Sequence, residues 1–369
     1  MGLLRTLLAL SVLLDHVWNG EREILVGGRL AVQTFYLISG FLISYVLMAT
    51  DTYRHDRLKF YQNRFLRLYP AYAVVAVLTL AAHAALGTGF LQRLHNLPGD
   101  ATAILLASTV LLFGQDWILF MGVHHDHLAL TGSFRDSDVP LYEALLVPQA
   151  WSLSVELTFY LVAPFLITSR RWMWVALLAS LGLRAALIVT GIGRSDPWTY
   201  RFFPSELALF LIGALSQQML LPRFQRLCAR LPWLPGAGVG ALLALSFSHF
   251  QEPINPTLRD ALFLAVAATV LPLAFIFQCR HKWDRLVGEL SYPLYISHML
   301  VILLFSGLGA GAGALHSTRG WAAIVMASVA AAVALNVSIA APIKRVRRRL
   351  KTSSEQARTL ENRWSPAGH

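Results

Sequence analysis

The sequence predicts an all-α polytopic membrane protein, and the composition and the hydrophobic runs carry that prediction. Of the 369 residues, 56% are hydrophobic and only 14% are charged, and the mean hydropathy is +0.54. An ordinary soluble domain cannot bury that much apolar surface, whereas a bundle of membrane helices exposes it to lipid. The net charge of +11 does not indicate a nucleic-acid partner, because the cations fall in short runs between apolar segments.

Ten apolar runs are long enough to span a bilayer. They lie at 3–19, 30–49, 69–87, 148–168, 172–191, 203–221, 234–250, 260–278, 289–308 and 320–342. Asp15 and His16 interrupt the first run and no clear small-residue cleavage site follows, so we expect a retained helix rather than a signal peptide. An eleventh run, 102–121, is broken by the polar residues Gln115 and Asp116.

The basic residues decide whether the run at 102–121 crosses the membrane. If it does not, one side of the membrane receives nearly all the basic clusters, as cytoplasmic loops do. These clusters are Arg54, Arg57, Lys59, Arg64 and Arg67; Arg170 and Arg171; Arg223, Arg226 and Arg230; Arg280, Lys282 and Arg285; and the tail from Lys344 to Lys351. The other side receives only scattered arginines, among them Arg22, Arg93, Arg135, Arg194, Arg259 and Arg319. We therefore predict ten spans with both termini cytoplasmic, and a re-entrant or surface helix near 102–121 on the outer side. We also predict one membrane domain at 1–345, followed by a basic cytoplasmic tail at 346–369 that is disordered.

Arg5 and His16 share one stripe of the first span. Eleven helical residues bring a side chain back to nearly the same face, with a rise of ~16 Å. Ionisable residues inside an apolar span usually face a protein interior or a cavity, so the pair is a candidate functional site. The alternative is that Arg5 is a cytoplasmic anchor and His16 an interfacial residue.

Basic and aromatic residues alternate in the loop before the third span. Arg64 and Arg67 are three residues apart, so they share a helix face, and forked guanidinium groups suit phosphate binding. The alternative is contact with anionic lipid. Phe60, Tyr61 and Tyr69 favour fixed positions for the arginines, or stacking on an adenine.

Polar residues also mark three later spans. Ser39 and Gly40 in the second span indicate close packing when taken alone. Ser152 and Glu156 are one turn apart in the fourth, and the carboxylate suits either a functional contact or a structural salt bridge. Tyr295 and His298 share a face of the ninth. We expect no metal, because the loop histidines His124, His125 and His127 lack the spacing of a helical zinc site. The role of Arg184 stays open: its side chain would either snorkel to the membrane surface or line a cavity.

Taken together, these residues resemble the acyltransferase family 3 of integral-membrane acyltransferases. The matching parts, over residues 1 to about 345, are Arg5 with His16; Phe35 to Ser44; Arg64 and Arg67 with Tyr69-Pro70; Trp151 to Glu156; and Ser291 to Tyr295 with His298. The chain departs from the family's usual Leu-Asp-Gly-Leu-Arg-Gly beginning, since it keeps Arg5 but has no matching aspartate.

The resemblance implies transfer of an acyl group, most often acetyl, from cytoplasmic acyl-CoA to a hydroxyl of an extracytoplasmic glycan or lipid-linked sugar, in the inner membrane of a bacterium. We expect His16 and Glu156 to be catalytic, Arg5, Ser39, Arg64 and Arg67 to hold the donor, and Trp151, Ser152, Tyr292, Tyr295 and His298 to contact substrate. His16 would act as general base or as nucleophile, with Glu156 orienting it or contacting the acceptor. No permanently bound cofactor is expected, and partners are acyl-CoA, the acceptor and membrane lipids. Alternatives are acylation of a small molecule such as a macrolide, a transporter, or a non-catalytic scaffold.

Overall fold

A computed structural model describes residues 1–18, 24–49, 53, 56–133, 137–251, 254–308 and 317–347, which form a helical bundle. The helices are α1 Gly2–Val17, α2 Gly27–Ala49, α3 Arg57–Leu86, α4 Phe90–His95, α5 Gly99–Leu111, α6 Trp151–Leu166, α7 Arg170–Val189, α8 Phe203–Leu215, α9 Leu221–Arg230, α10 Leu234–Ser248, α11 Pro256–Arg280, α12 Lys282–Glu289, α13 Ser291–Gly307 and α14 Thr318–Leu335. The turns Ser216–Leu220 and Asn336–Ala340 are π-helical. Arg22, Arg54, Arg135 and the predicted tail from residue 348 lie outside the described residues.

Each of the ten predicted runs coincides with a helix. Within the described ranges, seven helical stretches are long enough and apolar enough to cross a membrane; they lie at 27–48, 57–86, 170–189, 203–230, 256–280, 282–307 and 319–347. The other three predicted spans correspond to the shorter helices α1, α6 and α10, of 16, 16 and 15 residues. A multi-pass helical membrane protein is therefore supported, and the count of ten and the cytoplasmic termini stay predictions.

Helices α2 and α8 approach each other at two glycines. A Cβ on Gly40 would lie 1.8 Å from the carbonyl oxygen of Phe210, and a Cβ on Gly213 would lie 2.0 Å from that of Leu37. Only glycine permits such a backbone approach, which is the close packing expected of small residues in membrane helices. The contact fixes α2 at the centre of the bundle, where Phe41 and Leu37 are fully buried.

The first turn of α1 is held by a carboxylate from α12. Asp284, which is fully buried, accepts hydrogen bonds from the backbone N–H groups of Gly2 and Leu3, each at 2.8 Å. Acidic groups at a helix N-terminus satisfy the unpaired N–H groups there. Thr6 adds a hydrogen bond to the carbonyl of Val287 at 2.9 Å. These contacts set the rotation of α1 and so the direction in which Arg5 faces.

The segment between α3 and α6 packs on one end of the bundle. It contains α4, α5 and a small sheet in the order β2-β1-β3, formed by β1 Met121–His124, β2 His127–Leu130 and β3 Val139–Pro140. The predicted helix near 102–121 is thus α5, which ends at Leu111, followed by the 3₁₀ turn Trp117–Phe120. The sheet is a departure from the all-α prediction.

Two buried polar residues after α5 anchor this segment. Asp116 accepts a hydrogen bond from the Ser154 hydroxyl at 2.8 Å, and the Gln115 side chain donates to the Tyr72 hydroxyl at 3.1 Å. Burial raises the pKa of the Asp116 carboxyl to about 6, because desolvation penalises its charged form more than the hydroxyl stabilises it. The residues that broke the apolar run at 102–121 therefore fasten the segment to α3 and α6.

Candidate active site

Five helices enclose a cavity of about 70 Å³, here called the inner cavity. Its polar and aromatic lining comes from α1, α2, α3, α6 and α13. The lining includes Arg5, Phe35, Tyr36, Ser39, Arg67, Ser152, Glu156, Ser291, Tyr292 and Tyr295. The structure thus gathers seven of the sequence-predicted site residues around one space, from segments up to 290 residues apart.

Glu156 lies in the inner cavity one turn after Ser152 on α6. Its Oε1 accepts a hydrogen bond from the Ser39 hydroxyl at 2.5 Å and another from the Tyr160 hydroxyl. Arg5 and Arg67 line the same cavity. The carboxylate is therefore fixed by two hydroxyl donors within a space that it shares with two cations, as a charged group inside a membrane protein requires.

The Tyr295 side chain joins α13 to α6. Its hydroxyl lies 2.6 Å from the Ser152 hydroxyl, and both hydroxyls are within hydrogen-bond distance of the Gln149 carbonyl oxygen, Ser152 at 3.1 Å and Tyr295 at 3.2 Å. Each hydroxyl has one proton, so one of the two donates to the carbonyl and the other donates to its neighbour. Tyr292, one turn earlier on α13, lines the same cavity and donates to the carbonyl of Leu68 at 2.6 Å. Both tyrosines therefore have fixed positions, and their hydroxyls are already satisfied by protein groups.

His16 meets His298, with ring centroids 5.1 Å apart. Each histidine has Nδ1 next to a backbone carbonyl: His16 lies 2.8 Å from the carbonyl of Val12, and His298 lies 2.6 Å from that of Tyr295. A carbonyl only accepts, so Nδ1 carries the proton and Nε2 the lone pair in each neutral ring. His298 is fully buried and its Nε2 has no hydrogen-bond partner, whereas His16 is exposed.

His16 does not line the inner cavity. The ring of Tyr295, which does line it, lies 5.9 Å from that of His298, and His298 in turn contacts His16. The hydrogen bonds of Glu156 lead to Ser39 and Tyr160, and that of His16 leads to Val12. The expected orientation of His16 by Glu156 is therefore not what the structure shows; the side chain that adjoins His16 is His298.

A second cavity of about 390 Å³, here called the vestibule, opens at the end of the bundle where α1 begins. It shares Arg5, Arg67 and Tyr292 with the inner cavity. Its charged lining consists of the four cations Arg5, Arg67, Lys344 and Arg347 and the single carboxylate Glu289, which pairs with Lys344. The vestibule is therefore positively charged, and it meets the inner cavity at the two arginines.

Arg64 and Arg67 occupy different surroundings, although both lie on α3. Arg67 lines both cavities, whereas the Arg64 guanidinium is buried beneath the vestibule. Arg64 donates to the Asn63 side-chain oxygen at 3.1 Å, and its Cζ lies 5.7 Å from the Phe60 ring and 5.9 Å from the Tyr160 ring. Of the aromatic residues that alternate with the arginines in sequence, Phe60 packs against Arg64, whereas the Tyr61 and Tyr69 hydroxyls donate to the carbonyls of Leu161 and Val110.

Trp151 and Arg184 lie away from both cavities. Trp151 packs edge-to-face against Tyr200 at 5.0 Å between ring centroids, with the Arg201 guanidinium 4.3 Å from its ring. Arg184 forms an ion pair at 2.7 Å with Glu206, which is fully buried on α8. The open question on Arg184 is thus answered by a partner that the sequence analysis did not single out.

The three histidines of the outer segment lie around the β1–β2 turn. His125 and Asp126 form its two central residues with positive φ values of 50° and 60°. This is the two-residue hairpin geometry that asparagine or aspartate tolerates well. Over the described ranges, no group of three His, Cys, Asp or Glu side chains is arranged to hold a metal ion.

The sequence pattern did not single out several residues at this site, among them Tyr160, which donates to Glu156, and the vestibule residues Asn63, Lys344 and Arg347. Tyr160 is four residues after Glu156 on the same helix, so helical spacing was a usable signal for it. Arg347 donates to Asn63 at 2.8 Å across 284 residues of sequence. Only the tertiary structure gives that contact.

Comparison with known proteins gives one family and several distant relatives. A family model described as an acyltransferase domain matches residues 1–341. The peptidoglycan O-acetyltransferase OatA of Listeria monocytogenes is 25% identical over 328 residues, which cover 82% of this chain and 49% of that protein. Nodulation protein 10 of Rhizobium leguminosarum biovar viciae is 28% identical over 344 residues, 83% of each.

The O-acetyltransferase OatA of Staphylococcus aureus is 26% identical over 326 residues, which cover 81% of this chain and 50% of that protein. This chain therefore spans about half the length of the OatA proteins and most of the length of Nodulation protein 10. No solved structure matches it.

Proposed function

The chain belongs to the acyltransferase family whose model matches residues 1–341, and from that premise we propose that it transfers an acetyl group from cytoplasmic acetyl-CoA to a hydroxyl of a glycan or glycolipid outside the membrane. The observation that carries the proposal is the junction at Arg5 and Arg67, where the basic vestibule meets the inner cavity. The O-acetyltransferase names of the OatA relatives support the acetyl group and the hydroxyl acceptor.

The vestibule suits the donor because CoA is a polyanion with a neutral, extended arm. Arginine binds phosphate in a fixed fork geometry, and four cations against one carboxylate favour such a ligand. In the proposed complex, Arg5 and Arg67 hold the diphosphate at the junction. The pantetheine arm then runs into the inner cavity past Ser39 and Glu156, whose second oxygen, Oε2, accepts from an amide N–H of the arm.

His16 is the proposed general base. The carbonyl of Val12 holds Nδ1–H, so Nε2 is the nitrogen that takes the proton from the acceptor hydroxyl. As that proton leaves, the hydroxyl oxygen bonds to the thioester carbon and the carbon–sulfur bond breaks. The proton passes from His16 to the departing thiolate, giving the acetyl ester and CoA. His298, packed against the ring, keeps His16 in place.

The test uses the purified chain in nanodiscs and measures binding of labelled acetyl-CoA. We expect Arg67→Ala to bind it about tenfold more weakly or worse, because a charge-assisted contact is lost. Arg345→Ala is the matched control, since Arg345 is exposed in the helix that continues α14 and does not line the vestibule. Equal affinity in both variants removes the vestibule from donor binding.

Transfer itself is measured as acetyl groups on envelope glycans, by mass spectrometry of cells that express the protein. We expect His16→Ala to insert normally, to bind acetyl-CoA as the wild type does, and to leave the glycans unacetylated. Acetylation at the wild-type level by His16→Ala would exclude the general-base role. If the wild type neither binds acetyl-CoA nor changes the glycans, the transporter and scaffold alternatives take precedence.

A further inference from the structure

Two guanidinium groups share one amide oxygen at the wall of the vestibule. The Asn63 side-chain oxygen accepts from Arg64 at 3.1 Å and from Arg347 at 2.8 Å. Arg64 comes from α3, and Arg347 comes from the last described turn of the helix that continues α14. Two positive charges therefore meet at a single neutral acceptor.

Neither charge is compensated within the described part of the chain. Arg64 is 5% exposed, and its Nε and Nη1 have no hydrogen-bond partner; the buried Nε of Arg347 has none either. No carboxylate lies within ion-pair distance of either arginine in these ranges, whereas the neighbouring cation Lys344 is paired with Glu289. Like charges placed close together with little exposure to water are costly, and an anion bound beside Arg347 offsets their repulsion.

This pair lies apart from the junction. Arg347 and Asn63 line the vestibule but not the inner cavity, whereas Arg5 and Arg67 line both. A ligand whose arm enters the inner cavity thus passes Arg5 and Arg67 first and reaches Arg347 with its more distant part. The covalent order of CoA is thioester, pantetheine, diphosphate, then the ribose with its 3′-phosphate.

We propose that Arg347, with Arg64 behind the shared Asn63, forms a second anion site that binds the 3′-phosphate of CoA. The inference rests on the proposed function, because it takes CoA as the donor. It makes the last helix a specificity element: the site distinguishes CoA from thioesters that carry the diphosphate alone. Asn63 is a positioning residue that holds both guanidiniums at one place.

The experiment compares binding of CoA and of 3′-dephospho-CoA to the full chain in nanodiscs. We expect the wild type to prefer CoA about tenfold or more, as a charge-assisted phosphate contact gives. Arg347→Ala should lose this preference and bind both ligands as the wild type binds dephospho-CoA. Arg345→Ala removes an equal charge two residues away and should keep the preference.

A second variant keeps the inference testable if Arg347→Ala does not fold. Asn63→Asp is nearly isosteric and places a carboxylate between the two guanidiniums, so it should abolish the preference for CoA while satisfying the buried charges. A wild type that binds both ligands equally overturns the inference, and so does an Arg347→Ala that weakens both in the same ratio. The first of these results points to a lipid headgroup phosphate as the occupant of the arginine pair. A wild type that binds neither ligand refutes the proposed function itself.

Discussion

Substituting Gly40 by alanine should separate α2 from α8 and disturb the candidate site at the same time. The added Cβ would lie 1.8 Å from the carbonyl oxygen of Phe210 and 2.6 Å from its carbonyl carbon, whereas ordinary contact begins at 3.4 Å. The helices must therefore part by roughly 1.6 Å, because the obstructing atoms belong to backbone and cannot rotate away. Overpacking of this kind costs ~1–3 kcal/mol, which exceeds the ~0.5–1 kcal/mol that alanine gains over glycine within a helix.

The assay is the thermal midpoint of the purified protein in detergent, with Gly240→Ala as the matched control. Gly240 is exposed on α10 and a Cβ there meets nothing within 4 Å, so the same substitution should leave the midpoint unchanged or raise it. Gly40→Ala should lower it, and should also weaken acetyl-CoA binding because the adjacent Ser39 moves away from Glu156. A midpoint for Gly40→Ala equal to or above that of Gly240→Ala would refute the packing argument.

Two further predictions concern buried charges. Because burial raises the pKa of Asp116 to about 6, from an ordinary value of 3.8, its protonated form stabilises the fold below pH 4, and this contribution is lost as the pH rises through 6. Between pH 5 and pH 7.5 the thermal midpoint of the wild type should therefore fall relative to that of Asp116→Asn, by the equivalent of about 1.4 kcal/mol, because only about one unit of that interval lies below the raised pKa. Asp100→Asn, at an exposed position, is the control. Parallel pH curves for the wild type and Asp116→Asn would count against the burial effect. Arg184→Leu removes the ion-pair partner of the fully buried Glu206 and should cost ~3–5 kcal/mol of stability. Arg171→Leu, at the exposed start of the same helix, is the control and should cost little. Equal thermal midpoints for these two variants would show that the buried ion pair is not needed.

The bundle was predictable from the sequence because membrane helices are read from local composition. Each apolar run coincides with a helix, and the polar residues that broke the run at 102–121 mark the point where α5 ends. The small sheet was not predictable in this way, since β1 and β2 have four residues each and an exposed hairpin gives little alternating pattern. Seven of the ten predicted spans lie in helices long and apolar enough to cross a membrane, and the other three lie in helices of 15 or 16 residues.

The candidate site was predictable only as far as single helices carry it. Spacing within one helix paired Arg5 with His16 and Ser152 with Glu156, and the structure places three of these four side chains around the inner cavity. Spacing within one helix could not give the partners that come from other helices, which are His298 for His16, Ser39 for Glu156 and Glu206 for Arg184.

The same limit applies to the basic clusters. Charge counting treats every cationic run alike, so Arg345 and Arg347 in the tail carried equal weight, and so did Arg64 and Arg67 in the loop. The structure separates the members of each pair. Arg347 lines the vestibule, while Arg345, two positions away, points in another direction and is exposed. Arg67 lines the vestibule, while Arg64 is enclosed by Phe60 and Tyr160. The rule for membrane orientation therefore groups the basic residues, but only side-chain direction assigns individual arginines to the vestibule.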